Sequence, residues 1–63
     1  MDYTKEMIER IEKSGHSIMI MSTTKGAFGE VRDYKNVVLY WSDGDTFLDV
    51  IREIDLKIRE KNI

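Results

Sequence analysis

The chain has no cysteine and no proline, one histidine, one tryptophan and four glycines among its 63 residues. Without cysteine there is no disulfide and no thiolate nucleophile. With His16 as the only imidazole, the three or four N or S ligands of a structural zinc site cannot be assembled. A domain of this length buries only about 60% of the surface that its unfolded chain exposes. Small domains offset that with disulfides, a metal or a partner, and of these three a partner is what the composition leaves. The lack of proline means that no segment is barred from helix or strand.

Charge of one sign is also missing. Ten Lys and Arg stand against twelve Asp and Glu, a net charge of −2, with the signs interspersed. A nucleic-acid binder carries a basic stripe, and its absence argues against direct DNA or RNA binding. No apolar run approaches the ~18 residues of a membrane span, and the first residues lack the charged-then-apolar layout of a secretion signal. Absence of cysteine fits a reducing compartment, so the expected location is the cytosol, with no membrane partner. No repeat, low-complexity tract or linker divides the chain, and residues 1–63 are expected to form one domain.

What is present reads as helix, three strands, helix. Asp2 stands where an N-cap belongs. Tyr3, Met7 and Ile11 share one stripe, with Ile8 beside them and Glu6, Glu9, Glu12 and Lys13 opposite, so an amphipathic helix is expected as far as Ser14, stopped by Gly15. Ser17–Thr24 contains four consecutive apolar residues, Ile18, Met19, Ile20 and Met21, and reads as a strand. Lys25-Gly26 is a turn signal, and Phe28–Tyr34 alternates, with Phe28, Glu30, Arg32 and Tyr34 on one side. Lys35-Asn36 is a second turn, followed by the apolar strand Val37–Trp41. The stretch Ser42–Thr46 reads as an acidic turn, and Thr46 with Asp49 fits a capping box. From Phe47 onward, Phe47, Ile51, Ile54 and Ile58 share a helical face with Val50 alongside. Acid–base pairs Asp49–Arg52, Glu53–Lys57 and Asp55–Arg59 are expected on the exposed side, with Leu56 and Ile63 exposed away from the core stripe.

The expected fold is therefore α+β: a three-stranded antiparallel sheet with both helices on one face. The sheet's other face has no internal cover, yet the first and third strands are apolar on both parities. Burying the larger apolar set gains more at about 25 cal/mol per Å². That reasoning places Leu39 and Trp41 inward and Val38 and Tyr40 outward, with one set from the first strand, Ile18 and Ile20 or Met19 and Met21, completing an exposed face.

No constellation for catalysis stands out. His16 beside Ser17 is not a dyad by adjacency, since a nucleophile needs a base within reach in space. Asp43, Asp45 and Asp49 do not follow the calcium-loop pattern; they suit a helix N-terminus and supply an acidic patch for a basic partner. Lys25, Gly26 and Gly29 match neither phosphate-binding glycine motif. No enzyme activity, cofactor or metal is expected.

The order helix, three-stranded meander, helix resembles the double-stranded-RNA-binding domain. That family grips phosphates with a Lys-rich cluster at the start of its second helix, where this chain has Asp43, Asp45 and Asp49, so the resemblance implies the fold and not the activity. Size, mild acidity, lack of cysteine and a helix-flanked three-stranded sheet also resemble small phage-encoded inhibitors of host nucleic-acid enzymes, anti-CRISPR proteins among them. The resemblance implies a protein that occupies a groove on a larger target.

The expectation is a non-enzymatic binding module that docks on a larger protein as inhibitor or regulator. Its contacts would be Met19, Met21, Val38 and Tyr40, with Asp43, Asp45 and Asp49 steering it. The alternatives are a structural homodimer paired through the same face, and weak nucleic-acid binding through Lys25, Arg32 and Lys35.

Overall fold

A computed structural model describes residues 3–61; the expected N-cap Asp2 and the expected exposed Ile63 lie outside the described residues. The elements run α1 (Thr4–Lys13), β1 (Ser17–Thr23), β2 (Gly26–Arg32), β3 (Val38–Gly44) and α2 (Phe47–Arg59). The strands form one antiparallel meander in the order β1-β2-β3. This is the α+β arrangement that the pattern of periodicities implies.

Local chemistry sets most of the boundaries. The α1 chain leaves its helix through Ser14, whose hydroxyl donates to the Ile11 carbonyl at 2.7 Å, and Gly15 follows at φ +87°. The β2–β3 turn is organised by Asp33, whose Oδ1 accepts from the Lys35 and Val37 amides at 2.8 and 3.0 Å, and Asn36 takes the left-handed position at φ +68°. Thr46 and Asp49 form the expected capping box at the start of α2, each side chain accepting from the other's backbone N–H at 3.2 Å.

Ile11 of α1, Val50 and Ile54 of α2, and Ala27 and Val31 of β2 make one buried cluster, with Ile18, Ile20, Tyr40 and Ile58 packed at its margin. Both helices therefore contribute to a core on one side of the sheet. Phe47, expected on the core face, is instead exposed, and Val50 takes the central place.

Two further corrections concern the third strand. It does not stop at Trp41, because Ser42, Asp43 and Gly44 pair with Gly29, Phe28 and Ala27; a neighbouring strand that offers its ladder overrides turn-forming preference. Its faces are also the reverse of the expectation. Tyr40 turns toward the helices, while Leu39 and Trp41 turn away; Val38, beyond the register irregularity, is half-buried opposite Arg32. Comparing apolar sizes on β3 alone misses that the ladder ties its parity to that of β2. There the inward set is Ala27, Gly29 and Val31, and the alternative would put Glu30 and Arg32 beneath a helix, where even a paired charge is costly to desolvate.

The close seating of α2 completes the argument. A Cβ on Gly29 would lie 2.8 Å from Val50 Cγ1 and 3.0 Å from Ile20 Cγ1. Ala27, Ser42 and Gly44 continue this row of small residues. Trp41 has no room on that side.

Candidate functional site

The open face is a grid fixed by strand register. One row across β1, β2 and β3 is Met19, Glu30, Trp41; the next is Met21, Phe28, Asp43. Leu39 joins them beside an irregularity in the β2–β3 register at Val31/Arg32. Trp41 is 64% exposed, Met19 53% and Met21 51%, with Phe28 and Leu39 near the lower end of exposure. Five large apolar side chains thus share one uncovered surface, which is more than scattered surface hydrophobes account for. Phe28, Trp41, Ser42 and Asp43 line a shallow open depression of about 460 Å³.

At the centre of this apolar field sits a charge. Glu30 is only 8% exposed, flanked across the strands by Met19 and Trp41. Its Oε1 accepts from Arg32 Nη2 at 2.6 Å and Nε at 2.8 Å. Arg32 Nη1 also donates to Asn36 Oδ1 at 3.1 Å. The pair neutralises itself and leaves the guanidinium occupied, so Arg32 is not a spare cation for phosphate.

Of the residues expected at a docking surface, Met19, Met21 and Asp43 are brought together on this face. Asp45 is exposed in the two-residue link to α2, and Asp49 is exposed in the first helical turn with its carboxylate engaged in the capping box. Tyr40 is on the other side, packed against the core, and Val38 is half-buried opposite Arg32 past the register irregularity. Sequence reasoning named Phe28 only in passing and assigned Leu39 and Trp41 to the core. The run of small residues Ala27, Gly29, Ser42 and Gly44, all of one parity once β2 and β3 are paired, was the signal that could have corrected this.

Tyr40 has a different role. Its hydroxyl donates to Glu53 Oε1 in a short hydrogen bond, and the Ser42 hydroxyl donates to Glu53 Oε2 at 2.8 Å. The Glu53 carboxylate raises the Tyr40 phenol above its ordinary value, chiefly through that bond, with burial and the charges of Glu53 and Asp43 adding to it. The same bond holds Glu53 below the usual carboxylate range, helped by Ser42 and Lys57 and opposed by burial. Lys57 Nζ lies 5.6 Å from the centre of the Tyr40 ring. Glu53, expected on an exposed helix face, is in fact the clasp that fixes β3 with Tyr40 inward and Trp41 outward.

The remaining polar clusters are structural. His16 Nδ1 lies 2.7 Å from Ser14 Oγ. That hydroxyl's one proton goes to the Ile11 carbonyl, so the imidazole donates from Nδ1. Its partner is thus Ser14, at the end of α1. Asp55, expected on the exposed side of α2, is 1% exposed. It accepts from Arg10 of α1 at 2.6 Å and from Arg59 at 3.2 Å, all on Oδ2.

Compared with protein-family models, with curated proteins and with solved structures, the chain matches none. Among the described residues no helix is long and apolar enough to cross a membrane.

Proposed function

We propose that this chain is a small non-enzymatic protein-binding module that lays its open sheet face on a larger protein and acts as an inhibitor or regulator of it. The carrying observation is the cluster Met19, Met21, Phe28, Leu39 and Trp41, apolar and uncovered on one side of a sheet whose other side carries the two helices. Methionine adapts to irregular partner surfaces, and tryptophan is the residue type most enriched where binding energy concentrates. Asp43 lies on the same face beside Phe28, and Asp45 is exposed just beyond it.

The partner that suits this pattern has an apolar groove edged by basic residues. Asp43 and Asp45 would steer the encounter and raise its rate. A nucleic-acid enzyme of a bacterial host has such grooves, built for phosphate backbones, and is the target class we favour.

Capture experiments with tagged protein test this reading. Wild type should retain one larger protein, Trp41→Glu should lose it, and Asp43→Lys should weaken it most at low salt. Glu9→Lys, on the exposed side of α1, should leave capture intact, and stoichiometric addition of wild type should change the captured protein's activity. Equal capture by all variants would overturn the reading.

A further inference from the structure

The sheet has two free edges, and they differ. β3 carries a charge, Asp43, and a register irregularity opposite its first residues; both discourage a further strand. β1, Ser-Ile-Met-Ile-Met-Ser-Thr, has no charge, no proline and no glycine over seven residues. None of the devices that natural sheets use to guard an edge is present in it.

The hydrogen-bonding groups of that edge can be assigned. β1 and β2 are joined by Thr24 and Lys25 alone, and pairing starts at Thr23 with Gly26. The closing pair of a two-residue hairpin exchanges both of its hydrogen bonds. By alternation, Ile18, Ile20 and Ser22 turn their N–H and C=O groups away from β2. The side chains beside them are also incompletely covered. Ile18 and Ile20, on the helix side, are half-buried where Val31 on the neighbouring strand is fully buried, and Met19 and Met21 on the open side are about half exposed.

We propose that the β1 edge accepts an extended segment of the partner protein as a fourth strand. It would bond to the backbone of Ile18, Ile20 and Ser22, and the segment would be uncharged, free of proline and apolar at alternate positions. This deepens the docking function proposed above and rests on it, because the added strand would lie next to Met19 and Met21 and extend the same face. A second copy of this chain is the competing occupant, and the geometry disfavours it. α1 lies over β1 beside α2. A helix is roughly 10 Å across, whereas paired strands are about 4.8 Å apart. Two β1 strands in register would press their overlying α1 helices into the same space, and a lone strand brings no such helix.

The test is selection of displayed random short peptides on the purified protein, followed by binding measurements with Ser22→Pro. Proline at position 22 removes an edge-facing donor, leaves the β2 ladder intact and does not alter Met19, Met21 or Trp41. The selected peptides should be uncharged and alternately apolar. They should protect the Ile18, Ile20 and Ser22 amides from hydrogen exchange, and should lose affinity at least about tenfold on Ser22→Pro, as expected for main-chain strand addition. Trp41→Glu should leave peptide binding within a small factor. Ser22→Pro must keep the wild-type melting temperature to within a few degrees; if it does not, the same loss is sought with N-methylated Ile20 in synthetic protein.

Failure to select any peptide, or binding indifferent to both edge changes, would overturn the edge proposal and leave the capture experiment with Trp41→Glu standing. A dimer at micromolar concentration that Ser22→Pro dissolves would overturn the choice of occupant in favour of a second copy.

Discussion

On its helix-covered side the sheet presents Ala27, Gly29, Ser42 and Gly44, and on its open side Met19, Met21, Phe28 and Trp41. A core normally takes the large side chains and leaves the small ones outside. Here the helices supply the bulk, through Ile11, Val50, Ile51 and Ile54, and the sheet supplies flatness for them to lie against. Phe28 of β2 and Leu39 and Trp41 of β3 are then left on the side that no helix covers. The contrast teaches that this domain spends its small core on seating α2 closely and leaves its bulkiest ring uncovered.

The first way to break the contrast is to add volume on each side in turn. Gly29→Val places methyls against Val50 and Ile20, where even a Cβ meets atoms at 2.8 and 3.0 Å. Overpacking of this kind costs about 1–3 kcal/mol or more, and a core this small supplies only about 3–5 kcal/mol in all. The variant is expected to be largely unfolded by circular dichroism at 37 °C. Removing volume on the open side, by Trp41→Ala, should leave the urea midpoint almost unchanged, within roughly 0.5 kcal/mol. Equal losses from the two variants would mean that the open face is also core.

A second comparison is between two nearly buried carboxylates. Glu30 sits in the open face with one guanidinium partner, and Asp55 sits in the helix layer with two. Arg10 and Arg59 are substantially exposed while Asp55 is not. Removing Asp55 therefore strands no buried charge, whereas removing both arginines strands one. The double variant Arg10→Ala with Arg59→Ala should cost roughly 3 kcal/mol; Asp55→Asn should cost clearly less. Denaturant titration of both proteins checks the asymmetry, and the reverse order would show that the arginines matter through packing.

Much of this architecture could be read from the residues. The element order, the capping box at Thr46 and the left-handed Asn36 all follow from local rules. What local rules missed was non-local. The direction of Trp41 depends on Glu30 and Arg32 one strand away, through a ladder that ties parities together. The burial of Asp55 depends on Arg10, 45 residues earlier. Glu53 was read as one half of a pair with Lys57 four residues on, when its carboxylate meets hydroxyls 13 and 11 residues back. Period-based reading assigns a face to each element and cannot say which face of a two-sided strand a distant partner will claim.

The Tyr40–Glu53 bond is where that choice of face can be perturbed most gently. Because the bond holds Glu53 below the usual carboxylate range, its contribution is present above the unfolded pKa, near 4.3, and is lost as pH falls through the folded value. Because it raises Tyr40, that contribution is present below the unfolded phenol pKa, near 10, and is lost as pH rises through the folded value. Stability should therefore be flat between about pH 5 and 9 and fall on both sides, with slopes set by the proton difference between folded and unfolded chains. Tyr40→Phe removes the alkaline limb outright and shortens the acid limb, since Glu53 keeps only the Ser42 bond. At neutral pH it costs about 1.5 kcal/mol, as for a hydrogen bond to a charged group. Thermal melts across this range compare the two profiles. A variant that kept the wild-type alkaline limb would place that titration on another residue, and the clasp would then not be what holds Trp41 outward.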